Sequence, residues 1–156
     1  MIRQEGAALV ETAIALAVFL AVLFGLISFG YALYTYNFVS DAARVATRYA
    51  VVRDVNSCTI EPTFPNCNLY TSAPLQTYVQ NLGYPGMSPS NLTLTATWLT
   101  ETTVSGVTAW TPCLLGPCNV PGNAVQVVVY YTLPLNIPFW QNGSLTVSST
   151  SQMVIN

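Results

Sequence analysis

The chain of 156 residues contains four Arg, no Lys and no His against six acidic residues, so its formal net charge is −2. This sparse, slightly negative charge excludes the basic surface that nucleic-acid binding needs. The lack of His removes the commonest general base and metal ligand, and no phosphate-binding or nucleophile motif is present. The composition therefore predicts a protein that is not an enzyme and that uses no cofactor or metal.

An uncharged run extends over residues 12–40, which is 29 residues without Lys, Arg, Asp or Glu. As a helix with a rise of about 1.5 Å per residue it would measure roughly 44 Å, whereas the hydrocarbon core of a bilayer is ~30 Å thick. A secretory signal has a shorter apolar run and a small-residue cleavage site, and neither is found here. The run predicts a membrane helix that stays attached to the protein.

The basic residues give opposing indications of membrane orientation. Arg3 in the short leader favours a cytoplasmic N-terminus, whereas Arg44, Arg48 and Arg53 beyond the run favour the reverse. The remainder of the chain is polar and carries all the Cys residues, which suits an oxidising compartment. We therefore expect the N-terminus to lie inside and the bulk of the chain to be exported.

Small residues recur at four-residue steps in the first half of the run, at Ala13, Ala17, Ala21 and Gly25. On a helix they form one stripe, a pattern that lets helices approach closely in lipid. Two interpretations stay open, namely an assembly stripe and a simple alanine-rich membrane span. Membrane lipid is in either case an expected partner of this segment.

Beyond the run, apolar residues continue at three- or four-residue spacing, so the helix should leave the membrane and form the spine of an outer domain. This face consists of Phe38, Ala42, Val45, Tyr49 and Val52. The predicted division is a leader at 1–6, a membrane and assembly helix at 7–53, and an extracytoplasmic β-rich head at 54–156. The fold class is α+β, with a long N-terminal helix packed on a small antiparallel sheet and one short extra helix.

Hydrophobic periodicity and the positions of turn-forming residues predict the helix and the strands of the head. A short helix is predicted over 74–82, and a half-buried strand with alternating Thr follows from residue 91 to 98. The most apolar strand is expected to sit centrally in the sheet. The remaining expectations are a loop at 54–73, a possible partner strand at 102–110 with Gly106 as a bulge or turn, a stapled loop at 111–122, the apolar strand at 124–133, a loop at 134–143 and a final strand at 144–155.

Four Cys residues lie in two close pairs, Cys58 with Cys67 and Cys113 with Cys118. Two local disulfides are the natural interpretation if this part of the chain is extracytoplasmic. Free thiols and a four-Cys zinc site are the alternatives, although the spacing differs from that of zinc ribbons. The pairing of neighbours is a hypothesis, because four Cys allow three connectivities.

Glu11 is an acid at the leading edge of the membrane helix, where a carboxylate is costly unless it reaches headgroups or a partner. One interpretation places it at the cytoplasmic interface, stabilised by the helix N-terminus. The other depends on a cut after Gly6, which would make Ala7 the first residue and Glu11 the fifth. The new ammonium group and the carboxylate of a neighbouring helix would then neutralise each other.

This arrangement resembles type IV pilin-like proteins and, more narrowly, the TadE-like pseudopilins of tight-adherence (Tad) systems. The resemblance is carried by residues 6–11, GAALVE, by Phe24-Gly25 and Phe29-Gly30, and by the helix end at 42–50, AARVATRYA. The segments 125–131, VQVVVYY, and 145–151, LTVSSTS, are similar to the closing strands of that family. The N-terminal third of the chain holds most of the specific matches.

The resemblance implies a pilin-like fold and a structural role. It implies cleavage after Gly6 by a prepilin peptidase that recognises Gly6 and Glu11. It also implies storage in the inner membrane, with the N-terminus in the cytoplasm, before an assembly machine extracts the subunit into a pilus or a periplasmic pseudopilus. The implied partners are copies of the chain or other pilins, the peptidase and the inner-membrane machinery.

A single-pass envelope protein is the alternative hypothesis. Its outer domain would bind a ligand or partner, and it would be neither cleaved nor polymerised. In that case the acid at Glu11 would be indifferent to function.

Overall fold

The computed structural model of the protein describes residues 2–53, 72–114, 118–135 and 143–156. Two α-helices, α1 (Ile2–Val52) and α2 (Ser72–Gln80), and a short 3-10 helix (Pro89–Asn91) precede or flank the sheet. The four strands are β1 (Leu92–Val104), β2 (Val107–Pro112), β3 (Ala124–Leu135) and β4 (Gly143–Val154). The described elements form the α+β fold that the sequence predicts.

Helix α1 is continuous over 51 residues and lies in two environments. Every described side chain from residue 6 to 27 is exposed, whereas the C-terminal half carries buried residues from Thr35 onward. The apolar face predicted beyond the membrane run is buried at Phe38 and Ala42, while Val52 at its end is 57% exposed. We call the exposed residues 6–27 of this helix the free rod, and from Thr35 onward the helix is part of the head.

The sheet is antiparallel throughout, with strand order β2-β1-β3-β4. β3 lies between β1 and β4, as its apolar sequence predicts. Its odd-numbered residues from Val125 to Leu133 are buried, and cross-strand partners on β1 continue this layer, such as Leu94 opposite Val129. One face of the sheet is thus the core face, and the other is exposed.

Helix α1 covers the core face over β3 and β4, and α2 covers it over β1. Alanines let α1 approach the sheet, because a small side chain lets the backbones come close. Leu75 and Val79, four residues apart on one face of α2, are fully or almost fully buried. These side chains form one hydrophobic core with the sheet.

Several predicted boundaries differ from the observed ones. The partner strand predicted at 102–110 is wrong in its start, because β1 continues to Val104 and the chain turns at Ser105 and Gly106. Both turn residues have positive φ, +54° and +80°, which suits a tight hairpin turn and glycine at its second position. Gly106, which the sequence predicts as a bulge or turn, does lie in the turn, and the partner strand begins after it at Val107.

Helix α1 also extends through the predicted leader, beginning at Ile2 rather than Ala7. The predicted short helix lies two residues earlier than expected, and Leu82 is outside it. Most of the loops predicted at 54–73 and 134–143 lies outside the described residues, as does the pairing proposed for Cys58 and Cys67. At their described ends these loops were predicted too long, because residues 72–73 belong to α2, residues 134–135 to β3 and Gly143 to β4.

Candidate assembly helix

The predicted assembly residues all lie on the free part of α1, between Gly6 and Gly25. Gly6, Ala7 and Glu11 occupy its first turns, and the small residues Ala13, Ala17, Ala21 and Gly25 follow. All seven are exposed. Within the single chain, none of them is needed to pack the head.

The small residues form a stripe that follows the length of the free rod. Successive residues four apart differ by about 40° in direction on a helix with 3.6 residues per turn, so the stripe winds slowly around the axis. Rows of this spacing are among the ridges and grooves with which helices pack. A Cβ atom added at Gly25 would meet no other group within 4 Å, so the space beside it is open to a neighbour.

Glu11 is exposed, and no hydrogen bond or ion pair joins its carboxylate to another described residue. The hydroxyl of the next residue, Thr12, has its hydrogen-bond partners within the helix, because it donates to the carbonyls of Ala8 and Leu9 at 3.1 and 3.0 Å. Large apolar side chains surround the acid, with Leu9 and Val10 exposed. Among the side chains that the structure describes, none neutralises this carboxylate.

Over the described residues, α1 is the one helix with the length and composition to cross a membrane. Residues 6–30 would extend roughly 37 Å at about 1.5 Å per residue, which matches a hydrocarbon core of ~30 Å with its interfaces. The helix is thus suited to be a membrane anchor.

The head begins where two tyrosines meet a turn. The Tyr31 hydroxyl donates to the Gly86 carbonyl at 2.8 Å, and the Tyr34 hydroxyl donates to the Pro85 carbonyl at 3.0 Å. Sequence reasoning did not predict these contacts, because 55 and 51 residues separate the partners. The contact marks the end of the free rod.

One predicted disulfide is present, between Cys113 and Cys118, whose Cα atoms are 5.8 Å apart. It closes the loop after β2, so these two sulfurs are not available as zinc thiolates. Among the described residues, no group of three or more His, Cys, Asp or Glu is placed to hold a metal ion.

Sequence reasoning missed two features of the head. Asp41 on α1 accepts a hydrogen bond from the Tyr84 hydroxyl at 3.0 Å, although 43 residues separate them. Asn119 is fully buried, and its amide donates to the Arg53 carbonyl at the end of α1. Neither has a local signal, because each contact depends on how the chain folds back onto α1.

Comparison with known protein families finds a match within α1. The family model described as TadE-like protein matches residues 6–48, which covers the free rod and most of the part of α1 that packs in the head. No curated protein and no solved structure matches the chain. The resemblance to TadE-like, pilin-like proteins is therefore confirmed over residues 6–48.

Proposed function

We propose that this protein is a pilin-like structural subunit that is cleaved after Gly6 and assembles through α1 into, or primes, a Tad or type IV-like pilus. The observation that carries the proposal is the division of α1. Its N-terminal half is long, apolar and exposed, while its C-terminal half is locked into a folded head. A subunit built in this way can exchange lipid for neighbouring helices without unfolding.

Glu11 supplies the specific chemistry of the proposed assembly. A carboxylate among apolar side chains is unfavourable in a helix bundle unless an opposite charge neutralises it. Cleavage after Gly6 would create an ammonium group on Ala7, four residues away along the helix. The ammonium group of one subunit and Glu11 of the next would then pair, and this would fix the axial position of neighbouring subunits.

The proposed role is one of assembly and surface display, with no reaction of its own. Before assembly, the subunit would reside in the inner membrane with its N-terminus in the cytoplasm, where a prepilin peptidase can reach Gly6. After extraction, the head would lie outside the membrane, in a pilus or a periplasmic pseudopilus. Its partners would be copies of itself or other pilins, together with the inner-membrane assembly machinery.

The first test is the mature N-terminus in cells that carry a tight-adherence assembly system. Intact mass spectrometry of the membrane-extracted protein should give a chain that begins at Ala7. The second test is Glu11→Ala, which should still insert into the membrane but should reduce the pelletable filaments at least about tenfold, since 1.4 kcal/mol corresponds to a tenfold change in association. Glu11→Gln, which keeps the size of the side chain, should show the same loss.

Glu101→Ala is the matched control, because Glu101 is an exposed acid on β1 of the head and should leave assembly unchanged. A chain that keeps Met1, or a Glu11→Ala variant that pellets like the wild type, would contradict the proposal. That result would instead favour the anchored envelope protein.

A further inference from the structure

The two outer strands of the sheet, β2 and β4, present their far edges without a partner among the described strands. β4 spans Gly143–Val154 and pairs along its whole length with β3 on the other side. An unpaired edge exposes a row of backbone N–H and C=O groups and is a template for another strand. The head therefore has two candidate surfaces for strand addition.

In an antiparallel ladder, the backbone N–H and C=O groups of successive residues point alternately toward the paired strand and away from it. Ile155 donates to the Asn123 carbonyl and accepts from the Gly122 amide, so its peptide groups point toward β3. Residues of the opposite parity on β4 therefore point their backbone groups to the free edge, namely Thr146, Ser148, Thr150 and Gln152. Their side chains lie on the exposed face of the sheet.

The same reasoning applies to β2. The Cys113 amide donates to the Trp98 carbonyl at 2.9 Å, so residues of its parity face β1. Thr108 and Trp110 thus direct both backbone groups outward. Pro112, which has no N–H, also falls on the outward parity, where a proline does not disrupt the ladder with β1.

The usual protection against pairing is lacking along β4, and on β2 it is confined to Pro112 at the end of the strand. Natural edge strands are commonly blunted by charged residues, proline or bulges. β4 contains no charged residue and no proline, and the single proline of β2 is its last residue. Exposed apolar side chains lie at both edges, with Val107 67% exposed on β2 and Val154 44% exposed on β4. Within the described part of the chain, both edges are thus uncharged and have no strand partner.

Strand direction makes the two edges complementary between copies. Because all three pairings in the sheet are antiparallel, β2 and β4 run in opposite directions. Two heads in the same orientation can therefore join β4 of one to β2 of the other as an antiparallel pair. Antiparallel pairing of β4 with β4 would instead need heads related by a two-fold axis perpendicular to the strands, and two such heads do not have the same orientation.

We propose that β4 of one copy pairs with β2 of a second copy in the same orientation, extending the sheet from head to head. This inference rests on the proposed assembly function and names the contact that would join the heads. The pairing is heterologous, so it can repeat along a filament without closing. Its length is limited by β2, which spans Val107–Pro112. Such a short ladder is weak by itself and depends on the high local concentration that packed α1 helices provide.

Cysteine cross-linking in sheared filaments or in the membrane fraction tests the contact on the full chain. Thr108→Cys on β2 is combined in turn with Ser148→Cys, Thr150→Cys or Gln152→Cys on β4, because strand direction and parity allow these three registers over the full length of β2. Opposed residues of neighbouring strands have Cα atoms at disulfide distance. Mild oxidation should link at least one combination into dimers, trimers and higher species on a non-reducing gel.

The matched control combines Thr108→Cys with Thr95→Cys, which is equally exposed on the same face but lies on the inner strand β1. It should give no linked series, and neither should the wild type. Cross-linking of Thr150→Cys alone into dimers only would overturn the proposal in favour of β4–β4 pairing. Absence of linked species from all three combinations would also overturn it. Processing at Ala7 and Glu11-dependent pelleting are separate readouts, so either result leaves the proposed function to its own test.

Discussion

At the residue scale, Tyr84 is the side chain that ties the segment after α2 to α1. Its hydroxyl donates to the Asp41 carboxylate, and its ring meets the Phe38 ring edge-on with centroids 4.4 Å apart. Partial burial raises the pKa of Tyr84 from its ordinary value of 10.0 to about 12, and the hydrogen bond to Asp41 adds to the shift. Because the pKa is raised on folding, the neutral phenol stabilises the folded head.

This contribution should make stability fall at alkaline pH. It is fully present below the unfolded pKa of 10.0 and is lost as pH rises from there toward about 12. Tyr84→Phe should flatten this alkaline fall and should lower the free energy of unfolding at neutral pH by about 1 kcal/mol, the usual net value of one hydrogen bond. Thermal unfolding of the detergent-solubilised full chain, followed by circular dichroism, measures both effects.

Tyr130→Phe is the control for Tyr84→Phe, because Tyr130 lies on the exposed face of the sheet. It should leave the alkaline profile as in the wild type. An unchanged alkaline fall in Tyr84→Phe would show that another group causes it.

At the element scale, α1 depends on alanine to reach the sheet. Ala42, Ala43, Ala46 and Ala50 are all fully buried. Interiors are packed as densely as organic crystals, so a larger side chain at such a position must displace its neighbours. The close approach of α1 to β3 and β4 therefore depends on these small residues.

Ala46→Leu should lower the free energy of unfolding by about 1–3 kcal/mol, because overpacking forces side chains from their preferred conformations. The measurement is the same thermal unfolding of the solubilised chain. Val52→Leu is the control, since Val52 is on the same helix but 57% exposed, and it should change stability by less than about 0.5 kcal/mol. Equal effects of the two substitutions would contradict the close packing of α1.

Sequence patterns predicted those elements whose signal is local. The charge-free run predicts α1, the alternation of Leu92, Leu94 and Trp98 with Thr predicts β1, and the apolar run from Ala124 predicts a central β3. The turn at Gly106 was predicted, but β2 was expected to start five residues too early, at Thr102 instead of Val107, because one amphipathic pattern continues from β1 through the turn. The strand order and the contacts of Tyr84 depend on distant parts of the chain, so no local pattern encodes them.

The same distinction applies to the candidate site. Gly6 and Glu11 are recognisable because their spacing is a property of the sequence. The unpaired edges of β2 and β4 are not, because a strand has an edge only once its neighbours in the sheet are known.

At the scale of the whole molecule, the contacts of Tyr31 and Tyr34 with the turn at Pro85 and Gly86 separate the head from the free rod. We expect the membrane surface to lie near this turn before assembly. Single cysteines in reconstituted vesicles test the boundary. Asn37→Cys should react with a membrane-impermeant maleimide, whereas Leu20→Cys should react only after detergent is added.

Both test positions lie on exposed parts of α1, so the protein itself shields neither of them. Labelling of Leu20→Cys in intact vesicles to the extent seen with Asn37→Cys would contradict a membrane position for the rod.

The continuity of α1 from Ile2 to Val52 also has a mechanical consequence. A helix advances about 1.5 Å and turns about 100° with each residue, and here its last turns are part of the core of the head. An axial shift or rotation of the membrane half is therefore transmitted along the same helix to the head. The packing of the rods would consequently set the axial position and the rotational orientation of every head. These two quantities would then decide which strand edges face each other.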